Sequence, residues 1–265
     1  MRFIVFCLFF AVLTAKTPDL TPRDVHDKIS EIMKLHASQK TLNPLIVKRT
    51  LNNFIEELDP TKTYFIESDI KEWLEPTDDL LKKVQKQIEE SDFSEFDQIH
   101  SAMVKAVERR KKLDTEINYN ELPKDVKAKE FKDIKWATSI DELKNRLLRV
   151  RALQVQSAAK FNEEAKEKSL QRIQKRQQKF EDEILVSDPI QKERFILSDI
   201  MKAFTSSLDT HTTYFTPEEA QQFMINVQQR LFGIGAQLRD DLTGFTLTKI
   251  IEGGPAANSK ELKLN

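Results

Sequence analysis

The sequence predicts a mainly α fold: an elongated helical domain followed by the first strands of an incomplete β module. The first observation is that residues 1–232 contain no glycine, whereas all five glycines lie between Gly233 and Gly254. Glycine supplies the positive φ angles of tight turns, so its absence predicts that this long part is built without glycine-dependent turn chemistry. The second observation is a set of clear helix start signals before residue 218. The third is a pair of short β-branched or aromatic runs after Gly233.

The N-terminus resembles a secretion signal, which we assign to residues 1–15. Arg2 supplies a positive charge, Phe3–Leu13 is an unbroken apolar run, and Leu13-Thr14-Ala15 is suited to cleavage. The run is shorter than the roughly 20 apolar residues that span a bilayer, so no stable membrane span is expected. The sequence therefore predicts an exported, periplasmic protein, with a retained N-terminal membrane anchor as the alternative. The only cysteine, Cys7, lies in this segment, so the mature chain relies on packing rather than disulfides.

Helix starts in the body of the protein are marked by a small polar residue followed by proline. The polar residue caps the helix, and proline occupies the first helical position, where its missing N–H is harmless. The four pairs are Thr21-Pro22, Asn43-Pro44, Asp188-Pro189 and Thr216-Pro217. Apolar residues at helical spacing follow each pair. Residues 18–207 are therefore predicted to form one helical domain.

A capping box at Ser139 and Glu142 predicts a further, long helix that runs to about Leu185. Its second half, Asn162–Asp182, carries few apolar residues among many charged and amide side chains. A stripe this narrow is typical either of a coiled-coil seam or of a helix that crosses solvent between two lobes. We favour a spacer or arm, because the apolar spacing is not a sustained heptad.

The chain contains one internal similarity. Phe54–Phe65 reads FIEELDPTKTYF, and Phe204–Phe215 reads FTSSLDTHTTYF. In both segments a helix is predicted to end at Leu-Asp, and an aromatic pair follows a polar turn. The two segments are interpreted either as a recurrent helix–turn–helix solution or as two equivalent corners of one helical domain.

After Gly233 the pattern changes to that of a hairpin. Ile234–Leu238 and Phe245–Ile251 are predicted strands, and the Asp240–Gly244 segment between them is a turn. Glu252–Ala257 then makes a turn and begins a short helix. Because a lone hairpin is marginally stable in water, this β module is incomplete.

The segment Phe232-Gly233-Ile234-Gly235-Ala236 is the candidate binding site. Two glycines around a hydrophobic residue allow successive backbone N–H groups to face one point, which forms an anion-binding nest. Beside a strand edge, such a nest can hold the terminal carboxylate of a peptide that adds itself as a further strand. The alternative is an ordinary glycine turn.

Composition excludes several other functions. The formal net charge is −1, so no electrostatic attraction to nucleic acid is expected. The basic run Arg109–Lys112 is interpreted as solvated helix surface. The histidines lack metal-ligand spacing, and no phosphate loop or known nucleophile motif occurs, so we predict neither a metal nor another cofactor. For His211, a hydrogen bond that stabilises a turn is favoured over catalysis.

An ordered set of motifs resembles the C-terminal processing, or tail-specific, serine proteases. In that family an LDPH(S/T)xY(F/L) segment leads into a PDZ domain that opens with GIG and continues through GGPA. The corresponding segments here are Leu208–Phe215, Gly233–Ala236 and Gly253–Ala257, with Thr210 at the usual proline position. An early LDPxKxYF motif of the family's helical N-terminal domain matches Leu58–Phe65.

This resemblance implies that residues 208–231 are a linker motif and helix, and that residues 232–265 begin a PDZ domain. It further implies an exported serine endopeptidase that recognises the C-terminal segments of substrate proteins. The family's Ser–Lys dyad lies downstream of the PDZ domain, so no catalytic residue is assigned in this chain and the chain alone is expected to be inactive. The helical domain is expected to serve as a docking, homodimerisation or adaptor surface. The alternative is a non-catalytic exported helical scaffold or adaptor descended from such a protease.

Overall fold

The computed structural model describes residues 19–119, 121–160, 162–228, 233–241, 244–259 and 261–262. The signal assigned to residues 1–15 lies outside the described residues. The chain is mostly helical and ends with a small two-stranded antiparallel sheet, which confirms the predicted fold class. The helices before the sheet are α1 (Pro22–Leu35), α2 (Pro44–Leu58), α3 (Glu67–Leu74), α4 (Asp78–Glu89), α5 (Ser94–Glu116), α6 (Ile140–Ala158), α7 (Glu163–Ile184), α8 (Pro189–Leu208) and α9 (Pro217–Gln228), with a 3-10 turn at Ala128–Phe131.

The four predicted proline-marked starts are confirmed. Asn43 and Asp188 each accept a hydrogen bond from the backbone N–H three residues on, at 3.1 and 2.8 Å. Thr21 and Thr216 form reciprocal capping boxes with Asp24 and Glu219. Each cap pairs an N–H group that the first helical turn leaves without an intrahelical partner.

The prediction of a single long helix from Ser139 to about Leu185 is wrong, because two helices occupy this segment. The chain leaves the helical path after Ala158, and Asn162 caps a new helix by accepting from the Ala165 N–H at 2.8 Å. The start at Ser139 is confirmed, because its hydroxyl accepts from the Glu142 N–H at 3.2 Å. The two helices α6 and α7 pack against each other, so this segment forms a helical pair rather than one extended rod.

The core is organised around α2 and α8, which make the most extensive helix–helix contact of the described chain. Thr50 of α2 lies beside Ser207 of α8, and Asn53 reaches the Ala203 carbonyl, so the two helices run antiparallel. Phe54 packs edge-on against Phe96 of α5 at 5.1 Å between ring centroids. Burying such a side chain contributes about 2–3 kcal/mol, so a few phenylalanines account for much of the stabilisation. The fully buried phenylalanines of this core are Phe54, Phe65, Phe96 and Phe204.

The β module consists of β1 (Ala236–Asp241), β2 (Gly244–Ile250) and the short helix α10 (Pro255–Ser259). The strands pair antiparallel from Ala236 opposite Ile250 to Asp241 opposite Gly244, with a bulge between Gln237 and Leu238. This is the predicted hairpin. Among the helices of the described chain, none combines the length and the apolar character needed to cross a membrane.

Candidate peptide-carboxylate site

The predicted carboxylate loop lies at the start of β1 and is held by the segment that follows β2. The Gly235 carbonyl accepts a hydrogen bond from the Ile251 N–H at 2.8 Å, and the Ile234 carbonyl accepts from the Ala256 N–H at 2.7 Å. Gly233–Ala236 are therefore fixed by two backbone bonds on the carbonyl side. Phe232, the first residue assigned to the site, lies outside the described residues.

Gly235 is the residue on which the loop geometry depends. Its φ is +75°, a conformation that residues with a side chain rarely adopt. A Cβ atom at this position would lie 3.1 Å from the Gly254 Cα, and a Cβ on Gly254 would lie equally close to the Gly235 Cα. The two glycine motifs GIG and GGPA therefore touch backbone to backbone, and a side chain at either glycine would separate them.

The loop leaves donors and a strand edge available. Within the described residues, the backbone N–H groups of Ile234 and Gly235 make no hydrogen bond to another backbone group. In that same part of the chain β1 pairs with β2 on one side alone. Leu238 of β1, the strand with the open edge, exposes 53% of its surface, and Phe245 of β2 exposes 74%. A strand edge beside two neighbouring N–H donors suits an extended apolar peptide that ends in a carboxylate.

The Leu208–Phe215 motif forms a turn held by Asp209. One carboxylate oxygen accepts from the His211 and Thr212 N–H groups, both at 2.8 Å. These bonds lower the pKa of Asp209 to about 2, the His211 N–H being the largest cause. The turn then reaches α9, where Phe215 stacks on Phe223 with ring centroids 5.1 Å apart. His211 therefore contributes its backbone to the turn, consistent with the predicted turn-stabilising role.

His36 was not singled out by the sequence, yet it holds this turn from the far end of the chain. Its Nδ1 accepts from the Gln39 N–H at 3.0 Å and the Ser38 N–H at 3.3 Å. This bonding assigns the ring proton to Nε2, which donates to Asp209 at 2.9 Å. The loop after α1 is thereby tied to the turn after α8. Because both ring nitrogens are engaged, His36 is a structural group here rather than a general base.

The earlier motif, Leu58–Phe65, forms a comparable turn around Asp59. The buried carboxylate accepts from the N–H groups of Thr63, Tyr64 and Phe65 at 2.9, 2.9 and 3.0 Å. Asp59 thus follows the end of α2 as Asp209 follows the end of α8. Since α2 and α8 are antiparallel, the two turns lie at opposite ends of one helix pair. This geometry favours the interpretation of two equivalent corners in one domain.

The interpretation of Arg109–Lys112 as solvated surface is wrong for its first two residues. Arg109 forms a bidentate ion pair with Asp69, with contacts of 3.0 and 2.6 Å. Arg110 is 8% exposed and lies over the ring of Tyr64 at 4.4 Å. A sequence signal existed, because Arg110 lies three residues from both Val107 and Leu113, which are buried on the same face of α5.

In the described part of the chain, burial raises the pKa of Asp199 on α8 to about 7. No group of three or more histidine, cysteine, aspartate and glutamate side chains is placed to hold a metal ion there. His100 is buried between α5 and α8, beside Phe195 at 5.9 Å.

Comparison with known proteins bears on the helical body. The family model described as the tail specific protease N-terminal domain matches residues 28–218, which include both Asp-centred turns. A tail-specific protease of Haemophilus influenzae is 31% identical over 67 residues. That alignment covers 25% of this chain and 10% of the relative, so the similarity spans a small part of the longer protein. Since the family model covers more than half of the chain, this protein belongs to the tail-specific protease N-terminal domain family.

Proposed function

We propose that this chain is the N-terminal portion of an exported serine endopeptidase that recognises protein C-termini through a PDZ domain and then degrades or processes the protein. Membership of the family supports the class of protein. The contact between Gly235 and Gly254 is the single observation that carries the recognition step. This contact lies in a loop whose carbonyls are bonded to the segment after β2. The loop's N–H donors are available at the start of an open strand edge.

In this proposal the catalytic Ser–Lys dyad lies beyond the 265 residues. A lysine kept neutral by desolvation would accept the serine proton, and backbone N–H groups would stabilise the oxyanion. The helical body would serve as a docking, homodimerisation or substrate-enclosing surface. Export is supported by the pattern of residues 1–15, and a retained anchor at that position is the alternative.

The recognition step is tested by changing Gly235 in a chain extended through the complete PDZ domain. Gly235→Val is expected to weaken binding of a peptide with an apolar C-terminus by about tenfold or more, because the added side chain meets the Gly254 backbone. Affinity is measured by calorimetric titration, with the C-terminally amidated peptide as the ligand control.

The matched protein control is Gly253→Val. Gly253 also has a positive φ, +78°, but an added Cβ would meet nothing within 4 Å. This variant carries similar backbone strain without the clash and is expected to bind the peptide nearly as the unchanged protein does. Equal affinity in Gly235→Val and the unchanged protein would count against the carboxylate loop. The coding sequence beyond codon 265 separates protease from scaffold: a frame continuing into Ser and Lys motifs supports the protease, and a stop codon supports the scaffold.

A further inference from the structure

Helices α5, α6 and α7 line a cavity that is distant in sequence from the predicted peptide loop. Its volume is about 290 Å³, at the small end of the range for ligand pockets. Its apolar lining comes from Leu147 and Val150 of α6 and Ile173 of α7. Its polar lining includes two arginines, one aspartate, one tyrosine and three glutamines. A small site with both kinds of lining suits a ligand that has one charged end and one short apolar end.

The charged residues of the cavity lining favour a ligand with a negative charge. Arg110 and Arg151 contribute two positive charges to the lining, and Asp114 contributes one negative charge. The hydroxyl of Tyr119 donates to Asp114, and burial raises the pKa of Tyr119 well above its usual value, so this tyrosine stays neutral. The lining therefore carries one net positive charge, which one carboxylate would balance.

Arg110 is held rigidly at the cavity wall. Its Nη1 donates to the Thr63 hydroxyl at 2.7 Å, and the guanidinium lies over the ring of Tyr64 at 4.4 Å. Its Nε is buried without a hydrogen-bond partner in the described chain, and it lies 3.7 Å from a carboxylate oxygen of Asp114. The Nε therefore faces Asp114, and the guanidinium as a whole adds a fixed positive charge to the cavity wall.

Arg151 faces the same cavity from α6. Its contact with Gln154 is long, 3.5 Å from Nη1 to the amide oxygen. Among the described residues, no carboxylate lies within ion-pairing distance of its guanidinium, although Arg146 and Arg149 of the same helix both have acidic partners. Arginine is well suited to bidentate contact with a carboxylate. Arg151 is therefore placed to bind an anion from outside the chain.

We propose that this cavity binds a carboxylate carrying a short branched apolar group, with Arg151 and Arg110 at the carboxylate and Leu147, Val150 and Ile173 at the apolar end. Two sources share this chemistry: a free short-chain carboxylic acid and the last residue of a polypeptide. Gln154 and Gln174 line the same cavity and carry amides that can pair with a peptide group. This site is separate from the loop at Gly233–Ala236 and does not depend on it.

The test is a titration of the full chain with 4-methylpentanoate, followed by calorimetry or by chemical shifts of α5–α7. The acid is expected to bind with saturation, and its neutral analogue 4-methylpentanamide is expected to bind at least tenfold more weakly. Arg151→Gln is expected to weaken binding of the acid by about tenfold, the loss typical of one charge-assisted hydrogen bond. Arg176→Gln is the matched control: it removes the same charge from exposed surface of α7, outside the cavity lining, and should leave affinity unchanged.

Three results would overturn the proposal. The first is no saturable binding of the acid up to about 10 mM, a concentration beyond which affinity is negligible. The second is equal binding of acid and amide. The third is unchanged affinity in Arg151→Gln with a circular dichroism spectrum that shows an intact fold. N-acetyl-leucine then separates the sources, because tighter binding than 4-methylpentanoate indicates a polypeptide C-terminus and equal or weaker binding indicates a free acid.

Discussion

At the scale of residues, an aspartate carboxylate accepts hydrogen bonds from backbone N–H groups in both Asp-centred turns, but the two carboxylates differ in burial. Asp59 is fully buried, and its carboxylate accepts hydrogen bonds from three backbone N–H groups that water cannot reach. The side chain of Asp209 is 38% exposed, so water can replace part of its bonding. The cost of losing a carboxylate is governed by the donors it leaves unpaired, so the two turns should respond differently to the same change.

We expect Asp59→Ala to lower the free energy of unfolding by about 3–5 kcal/mol, because several buried N–H groups lose their acceptor together. Asp209→Ala should cost clearly less, since water can reach the His211 and Thr212 N–H groups and only the His36 Nε2–H loses an acceptor in a buried position. Urea denaturation of the two variants measures both values. Equal losses would show that burial does not separate the two turns.

His100 provides a pH-dependent prediction at the same scale. Its ring is buried, neither nitrogen has a hydrogen-bond partner in the described chain, and burial lowers its pKa from 6.5 to about 4. The nearby Lys192 lowers the pKa further, whereas Asp97, which pairs with Lys192 at 2.7 Å, opposes the shift. Because the folded pKa lies below the unfolded one, the unfolded state binds the proton first as the pH falls.

His100→Leu is therefore expected to remove one source of acid sensitivity. The unchanged protein should lose stability relative to this variant as the pH falls from about 6.5 to about 4, and the difference should level off below that range. Thermal unfolding of both proteins across these pH values measures the effect. Parallel pH profiles would mean that the ring takes up its proton at the same pH in the folded and unfolded states.

At the scale of elements, sequence was most informative where structure is decided locally. The caps at Thr21, Asn43 and Asp188 were predictable because the capping side chain and the proline act within a few residues. The break after Ala158 was missed: Asn162 followed by Glu163 and Glu164 is a helix-start signal, but neither glycine nor proline marks the end of α6. The site contacts were harder still: His36 and Asp209 are 173 residues apart in sequence.

The elements should also differ in local stability. The residues that α7 buries, Glu181 and Ile184, lie near its C-terminal end, whereas α2 buries residues along its length. The first half of α7 is therefore expected to open by local fluctuation, with amide hydrogen exchange well ahead of α2 and α8. Exchange followed by mass spectrometry measures this order. Equal protection of Glu163–Ile173 and α2 would contradict it.

At the scale of the whole molecule, the helical body is self-sufficient. Its main hydrophobic cluster extends from Val25 to Leu208, with Tyr214 packed against its edge, and takes no described residue from the hairpin. The hairpin instead exposes apolar side chains and is held by its own backbone bonds. The main core therefore ends before α9, whose Phe223 and Val227 are exposed, and the hairpin lies outside this core.

This independence predicts that truncation after Gln228 leaves the thermal transition of the helical body almost unchanged. A loss of 1 kcal/mol moves the Tm of a domain of this size by about 2–4 °C, so a shift within about 3 °C is expected. Differential scanning calorimetry of the full and truncated chains measures it, and circular dichroism confirms that helix is retained. A fall of more than about 6 °C would correspond to roughly 2 kcal/mol and would place the hairpin within the cooperative unit. The hairpin's stability would then be inseparable from that of the helices, and peptide binding at Gly233–Ala236 would stabilise the whole chain instead of the β module alone.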